Sequence, residues 1–229
     1  MATAARGVIM HTEQRAFFDL ALDCGVLRFG VFPLKSGRIS PYFFDAGLFH
    51  NGRVLTQLGQ LYAQAIRRAG WEFDVLFGLA YKGIPLVVTT AMALAVQPPY
   101  LDIPWCFNRK EAKDHGEGGT LVGAPLTGRV VLIDDVLTAG TALRAALPLV
   151  AAAGATVVGV VIALDRQEYG QGSQSARQEI EQHYGIPVRS LGGVDTLLDY
   201  LAERPVCAQT RQAVQAYRDC YGALNKGST

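Results

Sequence analysis

The run from Val130 to Ala142 constrains the fold of this chain more than any other segment. It begins with four consecutive apolar residues, which is typical of a central parallel strand covered on both faces. Two carboxylates, Asp134 and Asp135, follow directly, and a helical pattern begins near Ala142 after a turn of small residues. A strand, a turn and a helix in this order indicate an α/β fold, in which ligands bind at the carboxyl edge of the sheet.

The turn between the acidic pair and the helix is suited to a phosphate group. It contains Thr138, Ala139, Gly140 and Thr141, which supply hydroxyls, little bulk and backbone amides at the positive end of a helix. The carboxylates repel phosphate, so their natural partners are the hydroxyls of a sugar, with Mg²⁺ nearby. A strand end and a simple helix cap are the alternative interpretation, but the complete string favours a phosphorylated sugar.

Composition bounds the classes of function. The chain has 229 residues, of which 50% are hydrophobic and 18% charged, as in an ordinary globular protein. A formal charge of +1 offers no broad attraction for nucleic acid or for anionic lipid. The four cysteines form no CxxC pair, and neither a signal peptide nor a membrane-spanning segment is apparent. We therefore expect a cytoplasmic protein with no disulfide, no zinc, no nucleic-acid partner and no membrane partner.

Alternating strand and helix patterns predict a central parallel sheet flanked by helices. We expect a single domain over residues 1–229, with a small N-terminal hood at about 12–50. The α/β core is expected at about 53–200 and a C-terminal helix at about 205–222.

The segment from Val130 to Ala142 resembles the signature of the type I phosphoribosyltransferases. These enzymes bind 5-phosphoribosyl-1-pyrophosphate (PRPP) through a strand, an acidic pair and a Thr-Ala-Gly-Thr loop. The resemblance implies that Asp134 and Asp135 hold the ribose. It also implies that PRPP is bound by the loop residues Val136, Leu137, Thr138, Ala139, Gly140, Thr141 and Ala142.

A second cluster, Leu79 to Gly83, lies between a predicted strand and a predicted helix. Its amides and the Lys82 ammonium are placed to bind a pyrophosphate, although a single lysine in a turn is more often only solvated. Its position is similar to the pyrophosphate loop of the same family. By that resemblance Tyr81 and Lys82 contact PRPP, and a non-proline cis peptide is expected near Ala80 and Tyr81.

A third cluster runs from Arg109 to Gly119 and combines nearly balanced charges with several glycines. Charge alone favours a solvated loop, whereas the glycines beside cations favour a mobile lid that closes over a polyanion. The string resembles the catalytic loop of the orotate phosphoribosyltransferase family. The resemblance implies a homodimer with shared sites, in which the lid of one subunit contacts the pyrophosphate of the other through Arg109, Lys110, Lys113 and His115.

The fourth cluster, Leu34 to Asp45, lies in the predicted hood. The pattern first favours Phe43 and Phe44 as core residues. An aromatic pair beside Lys35 is also suited to binding a flat anionic base. The segment resembles the orotate-binding hood of the same family. By that resemblance Lys35, Phe43, Phe44, Thr138 and Arg166 contact orotate, and Lys35 also contacts PRPP.

The resemblance implies transfer of the phosphoribosyl group to N1 of orotate, giving orotidine 5′-phosphate and pyrophosphate. Lys113, Lys82, Asp134 and Asp135 would carry the reaction, with Mg²⁺ held mainly by the substrate and not by a protein metal site. Two alternatives remain open. One is a transferase for another base, such as a purine or uracil, and the other is a nucleotide-sensing regulator that controls RNA or DNA.

Overall fold

The computed structural model describes residues 10–113, 119–170, 172–204 and 207–223, with the backbone alone at 110–113 and 119. The helices are α1 (Thr12–Asp23), α2 (Gly52–Ala69), α3 (Gly83–Val96), α4 (Thr141–Ala152), α5 (Ala176–Tyr184), α6 (Val194–Ala202) and α7 (Ala208–Tyr221). The strands are β1 (Leu27–Pro33), β2 (Ile39–Phe44), β3 (Val75–Gly78), β4 (Trp105–Lys113), β5 (Gly119–Gly123), β6 (Arg129–Leu137), β7 (Thr156–Asp165) and β8 (Val188–Gly193).

The main sheet has the order β5-β4-β3-β6-β7-β8 and is parallel except for β5, which runs antiparallel to β4. The prediction of a central parallel sheet flanked by helices is therefore confirmed, with β5 added as an antiparallel edge strand. Strand β6 lies at the centre, and Val130 to Ile133 are fully buried because helices cover both faces. The continuous apolar run at the start of β6 reflects this double coverage.

Strand β6 is longer than the apolar run indicates. Its pairing with β3 ends at Gly78 and Ile133, whereas its pairing with β7 continues as far as Leu137 and Asp165. Asp134 and Asp135 therefore belong to the strand, in a stretch where β3 has already ended. The sequence placed the end of this strand at Ile133 because polar residues begin there, but Asp134, Val136 and Leu137 continue the pairing with β7.

The predicted lid has strands at both ends. Strand β4 extends to Lys113 and β5 starts at Gly119, and the two form an antiparallel hairpin. Charged residues follow Phe107, so the sequence pattern alone does not show that β4 continues to Lys113. An edge hairpin tolerates such residues because it is open to water on one side.

The hood strands β1 and β2 form a separate antiparallel pair. Alternate residues of β2 face opposite sides, so Tyr42 and Phe44 point into the main core while Phe43 points away. Helix α7 packs against β2 and buries Val214 and Tyr217 there. Among the described residues no helix is both long enough and apolar enough to cross a membrane.

Helices α2 and α3 pack closely against each other at Gly59. A Cβ atom added to Gly59 would lie 2.7 Å from the carbonyl carbon of Thr89 on α3. Because α3 begins directly after Lys82, this close packing also fixes the position of that residue relative to the sheet.

We expect Gly59→Ala to destabilise the protein by about 2 kcal/mol, because the backbone of α3 must move to admit the methyl group. Gly52→Ala, in the first turn of the same helix, is the matched control, since a Cβ atom there meets nothing within 4 Å. Alanine is the better helix former, so the control should unfold no earlier than the wild type. Thermal unfolding of the three proteins measures the difference, and equal transition temperatures would contradict the packing.

Candidate functional site

The acidic pair at the end of β6 is held by several polar contacts. Lys82 Nζ lies 3.1 Å from Asp135 Oδ2, and the backbone N–H of Asp135 donates to Asp134 Oδ1 at 2.9 Å. The buried Tyr62 hydroxyl donates to the carbonyl oxygen of Asp134 at 2.8 Å. Two carboxylates and one ammonium thus share a small volume at the carboxyl edge of the sheet.

The two carboxylates differ in their surroundings. Burial, followed by the charge of Asp135, raises the pKa of Asp134 to about 7, and the charge of Lys82 opposes this rise. Asp135 forms the ion pair with Lys82, which compensates its own charge. The ligand-free site therefore holds one carboxyl that is easily protonated beside one that is paired.

The turn after the pair has the features expected of a phosphate site. Gly140 adopts a left-handed conformation with φ of 66° and caps α4, so the amides at the start of α4 face outward. Thr138, Ala139, Thr141 and Ala142 are exposed, and helix α4 begins at Thr141, one residue before the expected start. A cavity of about 120 Å³ is lined by every residue from Asp134 to Leu143 except Asp135, and by Ile162.

Arg144, in the first turn of α4, braces this turn and was not anticipated from the sequence. Its guanidinium donates to the carbonyl oxygen of Ala139 and, at 3.2 Å, to Glu179 of α5. A cation at the N-terminus of a helix opposes the helix dipole. An arginine at this position is therefore unfavourable by itself, and this was the sequence signal that it makes a specific contact. The brace ties the phosphate turn to the neighbouring helix.

The turn that contains Tyr81 and Lys82 lies across the acidic pair from the turn that follows β6. The peptide bond between Ala80 and Tyr81 is cis, as expected. The Ala80 N–H donates to the side chain of Asn108 on β4 at 3.0 Å, which is a supporting contact that the sequence analysis missed. Tyr81 and Lys82 are both exposed and open toward the space above the sheet.

The lid residues are described only in part. Arg109 lies on β4 next to Asn108, so the start of the predicted lid is adjacent to the turn that contains Tyr81 and Lys82. For Lys110 and Lys113 the backbone on β4 is described, and the side chains are not. His115 lies outside the described residues.

The hood places the predicted base residues on different faces. Lys35 is exposed in the turn between β1 and β2. Phe43 packs against Phe32 and lies under the guanidinium of Arg28, whereas Phe44 is only 7% exposed and packs against other aromatic rings of the core. The two rings therefore do not form one stacking surface, because neighbouring residues of a strand point in opposite directions.

Arg166 is only 6% exposed and is already paired. Its Nε and Nη2 atoms both contact Glu168 Oε1, at 2.8 and 2.6 Å, and Nη2 also contacts Ser40 Oγ at 3.3 Å. Glu168 Oε2 accepts from Arg38 Nη1 at 3.1 Å. The sequence analysis identified Arg166 and missed Glu168 and Arg38, since nothing in their local pattern shows that the hood reaches the end of β7.

Replacing Asp134 by asparagine should change how stability depends on pH. The raised pKa means that the folded protein binds more protons than the unfolded chain between about pH 4 and pH 7, so the wild type loses stability as the pH rises through this range. The Asp134→Asn variant lacks this loss. Its unfolding free energy should therefore gain on that of the wild type by up to about 4 kcal/mol.

Urea unfolding of both proteins at pH 4, 5.5, 7 and 8 measures this difference. A gap that stays constant, or that favours the wild type at the higher pH, would show that Asp134 is not desolvated as the structure has it.

The sequence and the fold of this chain are both similar to those of known proteins. Residues 47–185 match the phosphoribosyl transferase domain. The orotate phosphoribosyltransferase of Pseudomonas aeruginosa is 59% identical over 213 residues, which cover 93% of this chain and all of the relative. The crystal structure of the orotate phosphoribosyltransferase of Francisella tularensis is 42% identical, with a TM-score of 0.81 over 90% of this chain and 99% of that one. The Mycobacterium tuberculosis enzyme, solved in complex with PRPP, is 25% identical with a TM-score of 0.59 over 79% of this chain and 96% of that one.

Proposed function

Because the chain belongs to the orotate phosphoribosyltransferase family, we propose that the site at the end of β6 performs the family's reaction with the residues described above. The protein transfers the 5-phosphoribosyl group of PRPP to orotate, giving orotidine 5′-phosphate and pyrophosphate in pyrimidine biosynthesis. One observation carries the assignment of the site: the two acids lie next to the open turn after β6, and Lys82 of the neighbouring turn is paired with Asp135.

The acidic pair and the turn divide the work of holding the ribose. Asp134 and Asp135 accept hydrogen bonds from the ribose hydroxyls and fix C1 against the incoming nitrogen. The 5-phosphate occupies the cavity of the turn, where the loop residues Val136 to Ala142 supply amides and hydroxyls. This division follows from charge, since the carboxylates repel the phosphate and the turn has only neutral donors and a helix dipole.

The pyrophosphate lies toward the Tyr81 and Lys82 turn and the root of the lid. As the bond from C1 to the pyrophosphate oxygen weakens, the ribose becomes oxocarbenium-like and the leaving group gains negative charge. Lys82 and the lid residues Arg109, Lys110, Lys113 and His115 stabilise that charge. Orotate N1 forms the new bond to C1 with inversion as the bond from C1 to the pyrophosphate oxygen breaks. The N1 proton passes to the departing pyrophosphate, so no strong protein base is required.

Mg²⁺ accompanies PRPP in this proposal. The described residues contain no cluster of three or more His, Cys, Asp or Glu side chains placed to hold a metal. The donor set fits a hard cation that is held mainly by the pyrophosphate, with the carboxylate oxygens of Asp134 and Asp135 as neighbours. When bound, the ion neutralises the charge of the leaving group.

Orotate lies between the hood and the end of β7. By the family resemblance Lys35, Phe43 and Thr138 border this space, and the buried Arg166 is the partner for the orotate carboxylate. With its ring in the core, Phe44 would contribute through its backbone. A purine or uracil carries no carboxylate for Arg166, and a nucleotide-sensing regulator has no need of a lid, so both alternatives fit this site less well.

The experiment that tests the site is consumption of orotate, followed by its ultraviolet absorbance, in the presence of PRPP and Mg²⁺. The wild type should consume orotate and leave uracil, adenine and hypoxanthine unchanged. Lys113→Ala should lower kcat about 10²-fold, as expected for the loss of an electrostatic stabiliser of the transition state. An unchanged kcat would remove Lys113 from the mechanism, and consumption of another base in place of orotate would overturn the assigned specificity.

We also propose that the protein is a homodimer with shared sites. The outer face of α3 exposes Pro85, Met92 (63%) and Val96 (72%), and Tyr100 follows with 66% of its surface exposed. A stripe of this kind is typical of an interface. Because this stripe begins just after Lys82, a second subunit that packs on it brings the lid of that subunit close to this site.

We propose a cytoplasmic location as well, since the four free cysteines agree with a reducing setting.

Mixing two inactive variants tests the shared site. Lys82→Ala disables the pyrophosphate turn and Lys113→Ala disables the lid, so a mixed dimer regains one intact site only if each lid serves the partner subunit. We expect up to a quarter of wild-type activity after complete subunit exchange, which differently tagged proteins can verify. Proven exchange without recovery of activity would show that the lid acts within its own chain.

A further inference from the structure

A charged cluster lies at the inner end of the proposed orotate site. We term it the base-side cluster, and it consists of Arg38, Tyr42, Arg166, Glu168 and Tyr217. It joins the hood, the end of β7 and the C-terminal helix α7. Two guanidiniums and one carboxylate give it one net positive charge. Orotate carries one carboxylate, so the charge of the cluster is complementary to that of the proposed base.

Glu168 is the shared acceptor of the cluster in the ligand-free protein. Its Oε1 atom takes both donors from one edge of Arg166, and its Oε2 atom takes one from Arg38. Tyr42 also points its hydroxyl at Oε1, at 3.4 Å, while the Arg166 guanidinium lies 4.5 Å above the ring of Tyr42. Nε and Nη2 of Arg166 are therefore already engaged before an incoming carboxylate binds.

Tyr217 differs from the other members of this cluster in its hydrogen bonding. The residue is 6% exposed, and its Oη atom is buried without a hydrogen-bond partner in the part of the chain that the structure describes. Burial and the adjacent Glu168 carboxylate raise the pKa of Tyr217, so its hydroxyl keeps its proton. Arg166 and Glu168 are close enough to this hydroxyl to shift its pKa, but neither meets the distance and angle of a hydrogen bond with it. A buried donor left unsatisfied in this way costs stability and indicates a role in another state of the protein.

We propose that Tyr217 is a positioning residue for orotate. When Arg166 binds the orotate carboxylate, the Tyr217 hydroxyl replaces Arg166 as a hydrogen-bond donor to Glu168. The proposal rests on the proposed function of this site. In the ligand-free protein Arg166 satisfies Glu168 and leaves the Tyr217 hydroxyl unused. In the bound state Arg166 turns its donors toward the ligand, and the Tyr217 O–H donates to Glu168 in their place. The Oε1 atom of Glu168 then keeps a donor in place of Arg166, while Arg38 continues to donate to Oε2.

Removal of the hydroxyl should affect only the bound state. A hydrogen bond to a charged group contributes enough free energy that its loss should raise the KM for orotate and the dissociation constant of orotate about tenfold. The KM for PRPP should stay the same, because the phosphate turn does not touch this cluster. The ligand-free Tyr217→Phe protein should unfold at the same temperature as the wild type or higher, since it loses no hydrogen bond.

The test compares Tyr217→Phe with the wild type and with Tyr184→Phe. Tyr184 is an exposed residue at the end of α5, so its variant controls for the loss of a tyrosine hydroxyl away from the site. Orotate binding by calorimetry, both KM values, kcat and the ligand-free unfolding temperature are measured for each protein. The proposal predicts a selective loss of orotate affinity in Tyr217→Phe and none in Tyr184→Phe.

Two outcomes would overturn the proposal. An unchanged orotate affinity in Tyr217→Phe would show that the hydroxyl has no role in the bound state. A lower unfolding temperature with equal losses for orotate and PRPP would show that it serves folding instead. Both are distinct from failure of the proposed function, in which the wild type itself would not consume orotate.

Discussion

The hydrogen bonds that β7 gives to β6 beyond Ile133 are the constraint on which the site depends. They keep Asp134 and Asp135 in extended strand geometry at a level where β3 has already ended. The gap left by β3 admits Lys82 to Asp135 from one side, and the phosphate turn follows on the other. Without this unequal pairing the acids would be covered by a neighbouring strand or would lie in an irregular loop.

The charges of the site are balanced locally and not across the whole molecule. Lys82 compensates Asp135, Arg144 is held by Glu179, and Glu168 bridges Arg38 and Arg166. A buried charge is tolerated only when it is paired, which applies most to Arg166 and Glu168, while Lys82 and Arg144 are partly exposed. All of these pairs hold the charged side chains of the proposed site in place. Such preorganisation lets the substrate replace existing partners instead of ordering mobile side chains.

The sequence was sufficient for the sheet, the signature strand and the phosphate turn, because each depends on a local pattern of apolar, acidic and small residues. It was insufficient where the chain meets itself across a long separation. Asn108 supports Ala80 from another strand, Glu168 contacts the hood from beyond β7, and Tyr217 reaches the same place from the last helix. Phe44 shows the same limit, since adjacent aromatic residues look equivalent in sequence although the pleat of a strand separates them.

The hairpin at the edge of the sheet divides the chain into parts with different freedom to change in evolution. Strand β4 is tied to β3 only through residues up to Phe107, and beyond this its described partner is β5. An insertion or deletion between Lys113 and Gly119 would therefore alter the length of the lid without disturbing the register of the central strands. Because the entropy of closing a loop grows only slowly with its length, such changes would cost little stability. Lid length can thus diverge among relatives that share an unchanged core.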